Sequence, residues 1–204
     1  MASLKLLATA GAALLIVGGA QAAIPGNPDP AAVQPGVYKV EAGHTRIEFS
    51  LSHMGFSTWW GDFTGASGSL TVDPNRPAAD KLSITVPIAS VTTTNAKLDG
   101  ELREPDYLDA AKYPTSTFVS TQVTPTGPGQ ADVMGQLTLH GVTRPVTLHV
   151  RFNGAGVNPL SKAYTVGFDA EGMIRRSDFG VMKLVPVVGD VVTLRLSGAF
   201  TKTS

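Results

Sequence analysis

Cysteine is absent from the 204-residue chain. Disulfide bonds, thiolate metal ligands and a cysteine nucleophile are therefore excluded, and so is membrane anchoring through a lipid-modified cysteine. A small domain without disulfides depends on its apolar core for stability. A chain of this size can bury roughly 70% of its unfolded surface, which is enough for a stable core.

An excess of charge of either sign is also lacking, because 16 basic side chains balance 16 acidic ones and the isoelectric point is near 6.9. Nucleic-acid binding requires a basic face, so we expect no nucleic-acid partner. Hydrophobic residues make up 43% of the chain, which is too large a share for a disordered protein. The composition therefore predicts a folded domain.

No apolar run has the length of a membrane span. The run at 6–20 has about 15 residues, fewer than the roughly 20 that a transmembrane helix needs. It follows Lys5 and precedes Ala20-Gln21-Ala22, the small-x-small pattern of a cleavage site. We therefore expect residues 1–22 to be a secretory signal peptide that is removed on export. The four prolines of residues 23–36 predict a flexible lead before a single domain over 37–204.

Alternation of apolar and polar residues dominates the rest of the chain and predicts β-strands with one dry face and one wet face. In residues 45–53 the apolar face carries Ile47, Phe49 and Leu51, and His53 shares it. The pattern recurs, strongly or weakly, in six further segments: residues 61–72, 82–88, 115–124, 135–150, 163–170 and 191–200. Residues 135–150 predict a hairpin that reverses over 141–145.

One stretch, residues 95–114, has helical character. Its leucines and charges fit two short helices broken before Pro105, the second over 106–111. About eight antiparallel strands with one helical insert predict an all-β barrel or sandwich, and the alternation fits both. An eight-stranded barrel has room for packed side chains or for one small ligand. Glycines at 61, 65 and 68 leave one wall thin, as a close approach by a ligand requires. A packed core is the alternative to a ligand channel.

Histidine and carboxylate patterns give no metal or catalytic motif. His44 and His53 are nine residues apart and face opposite sides of one strand, and neither His-x-His nor HExxH occurs. No Gly-x-Ser-x-Gly elbow is found, and the carboxylates of the helical insert fit a solvated face. We therefore expect no metal, no cofactor and no enzymatic activity. The rival hypothesis is an enzyme that uses His53 or the cluster from Arg176 to Asp178.

Five stretches of the chain match, in order, the motifs of a known family. They are VEAGHTRIEFSLSHMGFSTWWGDF, GSLTVD, SVTTTNAKLDGELREPDYLDAAKYPTSTF, GQLTLHGVTRPVTLHV and RRSDFGV. Together they extend over about residues 37–201. On these motifs the chain resembles the YceI-like family, the bacterial polyisoprenoid-binding proteins.

The resemblance implies an extended, lipocalin-like barrel of eight antiparallel strands with a short helical insert. It implies a periplasmic protein that holds a long isoprenoid chain, such as a polyprenyl or isoprenoid-quinone tail, as a carrier or store and not as an enzyme. Some family members are dimers, and some accompany membrane b-type cytochromes. A homodimer and a transient contact with an inner-membrane protein of that kind are therefore further expectations.

Two groups of side chains are candidates for the binding site. The first is expected to line an apolar channel: Ile47, Phe49, Leu51, His53, Phe56, Trp59, Phe63, Leu70, Ile84, Val86, Leu139, Leu148 and Phe168. The second is polar and is expected either to meet a head group or to brace the barrel: His44, Arg144, Arg176 and Asp178. Trp59 and Trp60 are adjacent, so only one of them can face inward from an extended strand.

The helical insert departs from the family pattern. Members often read Arg-Asp-x-His-Leu there, whereas this chain has Leu98-Asp99-Gly100-Glu101-Leu102. A head-group role of that arginine and histidine therefore does not carry over. A binder of another amphiphile, such as a fatty acid or fatty amide, and a non-binding envelope stress protein with a packed barrel are the alternatives.

Overall fold

The computed structural model describes residues 24–203, so the signal peptide predicted for residues 1–22 lies outside the described residues. The strands in this range are β1 (Gly36–Val40), β2 (Arg46–His53), β3 (Ser57–Phe63), β4 (Ser67–Val72), β5 (Lys81–Pro87), β6 (Thr115–Gly127), β7 (Gln130–Leu139), β8 (Val142–Val157), β9 (Tyr164–Arg175) and β10 (Val191–Lys202). The α-helix is α1 (Ala96–Leu102). Among the described residues, no helix has the length and hydrophobicity needed to span a bilayer.

The strands close into an eight-stranded antiparallel barrel, which confirms the predicted fold. Neighbouring strands run in order from β4 through β5, β6, β7, β8 and β9 to β10. The other edge of β10 pairs with β2 over residues 193–197 and with β1 over residues 200–202. β1 and β2 therefore share one position in the barrel. Their partners β4 and β3 share the next position.

A single turn of 3-10 helix separates β1 from β2. The carboxylate of Glu41 accepts two backbone N–H groups of this turn and caps it. Buried Thr45 follows, donates its hydroxyl to the Glu41 carbonyl at 2.8 Å and accepts the N–H of Ala199 at 3.1 Å. The sequence predicts the strand after this break but not β1, which has only five residues.

One half of the barrel interior is filled by side chains. Tyr38, Val166 and Phe200 are buried there in one cluster with Leu70, and Phe168 packs against it. The rings of Phe168 and Phe200 meet edge to face with their centroids 6.1 Å apart. This half is a packed core. The other half has a second buried cluster, which includes Phe118, Val146 and Leu148, but it is hollow at its centre because these residues line a cavity.

The proline-rich segment before the barrel lies against β8, although the sequence predicts a flexible lead for residues 23–36. Asn27 forms backbone hydrogen bonds with Ala155 in both directions, at 2.8 and 2.9 Å. This close approach requires glycine on β8, because a Cβ atom at Gly156 would lie 2.2 Å from the carbonyl oxygen of Pro25. Proline content alone does not reveal such a docking surface.

The helical insert is less helical than the sequence predicts. Only α1 forms, and the Asn95 side chain caps it by accepting the N–H groups of Lys97 and Leu98. The second predicted helix, over 106–111, is instead a series of turns. Asp109 has a positive φ of 46° in the middle of this stretch, and a left-handed residue interrupts a continuous ladder of helical hydrogen bonds.

The β7–β8 hairpin is tighter than predicted. Its reversal is confined to His140-Gly141, with φ angles of 52° and 74°, instead of extending over 141–145. Two successive positive φ angles match the right-handed twist of the flanking strands. Strand pairing therefore continues up to Leu139 and Val142.

Candidate functional site

The hollow half of the barrel contains a cavity of about 530 Å³. Every strand except β1 and β4 contributes to its wall, and α1 and the segment 181–188 cover it. We call residues 181–188 the covering segment. The wall is mostly apolar. Three of its polar members, Asn95, Lys97 and Lys183, are exposed and mark the place where the cavity reaches solvent. We define the cavity mouth as this opening between α1 and the segment 181–188.

Most residues predicted to line a channel lie on this wall. They are Ile47, Phe49, Leu51, His53, Trp59, Phe63, Ile84, Val86, Leu139 and Leu148. They come together because each occupies the inward face of a strand that alternates with period two. Contact between these side chains and a ligand stays a prediction.

The geometry does not bring Phe56, Leu70 and Phe168 to the cavity. Phe56 lies at the tip of the β2–β3 hairpin and is 89% exposed. Leu70 and Phe168 belong to the packed half of the barrel. Both point inward, as alternation predicts. Period-two alternation is the same in the packed and the hollow half, so it cannot tell which inward residues line a cavity.

Several wall residues were missed by sequence reasoning. Leu82, Leu194 and Leu196 occupy inward positions of predicted strands, so the alternation could have identified them. Leu184 and Val188 lie in the covering segment, which has no regular period. No local sequence signal places that segment over the barrel.

Glycines in the wall make room for the side chains of neighbouring strands. A Cβ atom at Gly61 would lie 2.3 Å from Cζ of Phe49, and one at Gly135 would lie 2.3 Å from Cζ of Phe118. Each phenylalanine ring therefore lies across a glycine on the next strand. Aromatic rings that lie along the wall leave the centre of the barrel open.

Trp59 and His53 form an aromatic corner of the cavity, with ring centroids 5.7 Å apart. Within residues 24–203, the indole Nε1–H of Trp59 is buried and has no hydrogen-bond partner. Trp60 faces the opposite side, where the Arg195 guanidinium lies 5.4 Å from its ring centroid. A buried donor without an acceptor costs about 1–3 kcal/mol, which a ligand oxygen would recover if it reached this nitrogen.

Charges at the cavity mouth are paired. Lys183 Nζ donates to Asp106 at 2.6 Å, which links the covering segment to the turns after α1. That hydrogen bond is the main cause of the raised pKa of Lys183. Lys97 and Glu101 form a looser pair at 3.5 Å on α1. The mouth therefore presents little net charge to a head group.

Arg176 is buried and holds the covering segment in place. Its guanidinium donates to the carbonyl groups of Val181, Lys183, Val188 and Gly189 over 2.8–3.0 Å. Burial lowers the pKa of this arginine, with the charge of Asp190 acting in the opposite sense. All four contacts are internal and brace the covering segment. Arg176 also lines the cavity, so it lies beneath the segment and beside the ligand space.

The remaining polar candidates lie outside the cavity wall. His44 is exposed and pairs with Glu41 at the break between β1 and β2. Arg144 and Asp178 are exposed. Among residues 24–203, no group of three or more histidine or acidic side chains is arranged to hold a metal ion.

The two insert positions that depart from the family pattern both line the cavity. Leu98 places an alkyl side chain there, and Glu101 places a half-buried carboxylate. Asp99, which matches the pattern, instead accepts hydrogen bonds from the backbone N–H and the hydroxyl of Thr93. The hydroxyl bond is the main cause of the lowered pKa of Asp99. Asp99 therefore anchors α1, whereas Leu98 and Glu101 face the ligand space.

The fold and the site define an antiparallel barrel built around an apolar cavity with one covered mouth. The model of the YceI-like domain matches residues 38–200, so the chain belongs to the YceI-like family. It is 42% identical over 146 residues to protein YceI of Escherichia coli O157:H7, covering 71% of this chain and 75% of that protein.

Solved structures share the barrel. BcnA of Burkholderia cenocepacia has a TM-score of 0.70 and 26% identity, covering 78% of this chain and 98% of that one. A polyisoprenoid binding domain from Saccharophagus degradans has a TM-score of 0.60 and 16% identity, covering 83% of this chain and all of that one. At that identity the second comparison shows the fold alone.

Proposed function

We propose that this protein binds a long-chain isoprenoid lipid, of the polyprenyl or isoprenoid-quinone type, as a periplasmic carrier or store. The observation that carries the proposal is the apolar wall, to which eight strands, α1 and the segment 181–188 contribute. Burial of hydrocarbon contributes about 0.8 kcal/mol per CH₂ group, so a prenyl tail suits such a wall. The polyisoprenoid binding domain of Saccharophagus degradans has the same fold and supports this choice.

The proposed head group is neutral and carries an oxygen that accepts a hydrogen bond. Trp59 supplies a buried donor without a protein acceptor. The lysines near the mouth are already paired with Asp106 and Glu101. Arg176 also lines the cavity, but its guanidinium donates to four backbone carbonyls, so these three cations offer little to a diphosphate. A quinone carbonyl meets these requirements better than an anionic group does. A fatty amide also has a neutral carbonyl, and it is the main competing ligand.

The proposed role is binding and transfer, not catalysis. The polar groups of the covering segment are used for internal contacts, with Arg176 donating to four backbone carbonyls. A homodimer and a transient contact with an inner-membrane b-type cytochrome stay predictions that rest on the family resemblance. Export to the periplasm likewise rests on the signal peptide predicted for residues 1–22.

A binding measurement with a matched pair of variants tests the proposal. Leu137 lines the cavity, and its neighbour Gln136 on β7 is exposed. We expect Leu137→Trp to fill part of the cavity and to weaken binding of an isoprenoid quinone at least about tenfold, a loss of about 1.4 kcal/mol. Gln136→Trp should leave binding unchanged. Equal binding by both variants, or no uptake of the quinone by the unmodified protein, would refute the proposal.

A further inference from the structure

Exposed apolar side chains lie along one side of the cavity mouth. The β2–β3 hairpin contributes Met54 and Phe56, and the covering segment contributes Met182, Leu184 and Val187. These five residues are the mouth rim. Their exposure is unusual, since large apolar side chains grouped on a surface mark an interaction site more often than chance exposure does.

Backbone contacts join the two parts of the mouth rim into one surface. The N–H of Met54 donates to the Val187 carbonyl at 3.2 Å, and the N–H of Gly189 donates to the Ser52 carbonyl at 2.8 Å. The Arg176 guanidinium fixes the covering segment from beneath. The rim is therefore a defined surface and not the chance meeting of two loops.

The mouth rim is continuous with the cavity wall. Leu184 belongs to both, because it is exposed at the rim and also lines the cavity. His53 and Val188, which form a β-bridge, line the cavity directly beneath the rim. An apolar path thus leads from the outer surface to the ligand space, as transfer of an apolar chain from another apolar phase requires.

We propose that the mouth rim inserts into the surface of a phospholipid bilayer, so that the cavity opens toward the acyl chains. The physiological use of this contact rests on the proposed function, because it lets a prenyl tail pass between bilayer and barrel without crossing water. The bilayer contact itself is inferred from the exposed apolar residues of the mouth rim and does not depend on the proposed function. Apolar side chains at the interface bind in proportion to the apolar area they bury.

The charges beside the rim predict how docking depends on salt. Lys97 and Lys183 are paired with acidic side chains, and the whole chain has no net charge. Attraction to anionic lipid therefore contributes little, and insertion of the rim provides most of the affinity. Binding should change less than about twofold between low and high salt, because Debye screening acts on charges and not on apolar contacts.

Two serine substitutions at equally exposed apolar residues form a matched test. Phe56 is 89% exposed on the mouth rim, and Leu160 is 91% exposed in the β8–β9 loop. Leu160 lies just before the first residue of β9, and the mouth rim lies beyond the last residue of β9. The length of β9 therefore separates Leu160 from the rim by roughly 35 Å. Both residues lie outside the cavity wall.

Flotation of the mature protein with protein-free vesicles of phosphatidylethanolamine and phosphatidylglycerol is the measurement. We expect the unmodified protein and Leu160→Ser to float with the vesicles, and Phe56→Ser to bind about tenfold more weakly. A second rim variant, Met182→Ser, should weaken binding in the same direction. Equal flotation of Phe56→Ser and Leu160→Ser would overturn the proposal. Binding to native membranes but not to protein-free vesicles would overturn it in favour of a protein partner.

A soluble short-tail quinone separates this proposal from the proposed function. Phe56→Ser should bind the short-tail quinone in solution with unchanged affinity, which also shows that the variant is folded. Its extraction of a long-tail quinone from vesicles should slow about tenfold, in line with its weaker docking. If the protein bound vesicles through the mouth rim but bound no quinone, the proposed function would be wrong and the docking surface would still be supported.

Discussion

The ring of Phe49 lies across Gly61, its paired residue on the neighbouring strand, in the space that a Cβ atom would fill. The ring of Phe118 lies over Gly135 of the neighbouring strand in a similar way, although the register partner of Gly135 is Ser120. Because the two rings rest on glycine, they run along the wall. A small residue on one strand therefore sets the free width of the channel beside the next strand.

Gly61→Ala tests this relationship. The new methyl group would meet Phe49 Cζ at 2.3 Å, so the ring must swing into the cavity. Overpacking of this kind costs about 1–3 kcal/mol of folding stability, and the displaced ring narrows the ligand space. We expect a lower melting temperature together with weaker binding of a prenyl ligand.

Gly100→Ala is the matched control for that substitution. Gly100 lies within α1 with open space around its missing Cβ atom. Alanine should stabilise the helix by about 0.5–1 kcal/mol and leave binding unchanged. Equal effects of the two alanines on ligand affinity would show that Gly61 does not set the channel width.

Arg176→Leu tests the brace under the covering segment. Leucine leaves the four carbonyl groups of residues 181, 183, 188 and 189 without their charged donor. Since charge-assisted hydrogen bonds contribute about 1.5–3 kcal/mol each and act here as a group, we expect a loss of about 3 kcal/mol. Hydrogen exchange should accelerate in residues 181–189. Arg144→Leu, at an exposed arginine of β8, should leave exchange in that segment unchanged.

Trp59→Phe and Trp60→Phe test the proposed head-group contact. Phenylalanine keeps an aromatic ring beside His53 but removes the only buried side-chain donor without a partner in residues 24–203. We expect Trp59→Phe to weaken binding of an isoprenoid quinone about tenfold, as the loss of one hydrogen bond requires. Binding of a prenyl hydrocarbon without oxygen should be unaffected.

The outward-facing Trp60 provides the control, because it contacts Arg195 outside the barrel. Trp60→Phe should change neither the affinity for the isoprenoid quinone nor the affinity for the prenyl hydrocarbon. If Trp59→Phe weakened the quinone and the hydrocarbon to the same extent, the tryptophan would act through shape, and the head-group assignment would fail. Native mass spectrometry measures both ligands without depending on tryptophan fluorescence.

Asp80 makes stability depend on pH. Burial raises the pKa of this carboxyl to about 6, although it accepts the N–H of Asp73 at 2.8 Å. A carboxyl with a raised pKa in the folded state binds protons more tightly there than in the unfolded chain. Its contribution to stability is therefore complete below about pH 4 and is lost as the pH rises through about 6.

Asp80→Asn keeps an acceptor oxygen and removes this ionisation. We expect the variant to be more stable than the parent by about 2 kcal/mol at pH 7.5 and equal to it at pH 4, as thermal unfolding would measure. Asp178→Asn, at an exposed carboxyl, is the control. A stability difference that is the same at both pH values would contradict the assignment to Asp80.

Alternation predicts which strand face points inward, and this is why residues such as Phe49, Leu139 and Leu148 are found together on the cavity wall. It does not predict where the interior is filled. Leu70 and Phe168 follow the same pattern but lie in the packed half. The difference depends on Tyr38 and Phe200, which fill that half from β1 and β10.

Other features depend on tertiary contacts that leave no local pattern. The four acceptors of Arg176 come from a segment without period-two or helical spacing. The lead at residues 23–36 has the composition of a flexible linker, yet glycines on β8 let its backbone approach. Phe56 belongs to a strongly apolar stretch, and only the hairpin geometry shows that it points outward.

Lipid analysis of the mature protein, purified from the periplasm of its own cells, tests isoprenoid binding by this barrel more directly than any variant does. The organic extract and the intact complex would be measured by mass spectrometry on the same sample. We predict one prenyl compound with a neutral, oxygen-bearing head group at close to one molecule per barrel. A stoichiometric fatty acid, or an empty protein that also fails to take up an isoprenoid quinone in vitro, would contradict isoprenoid binding.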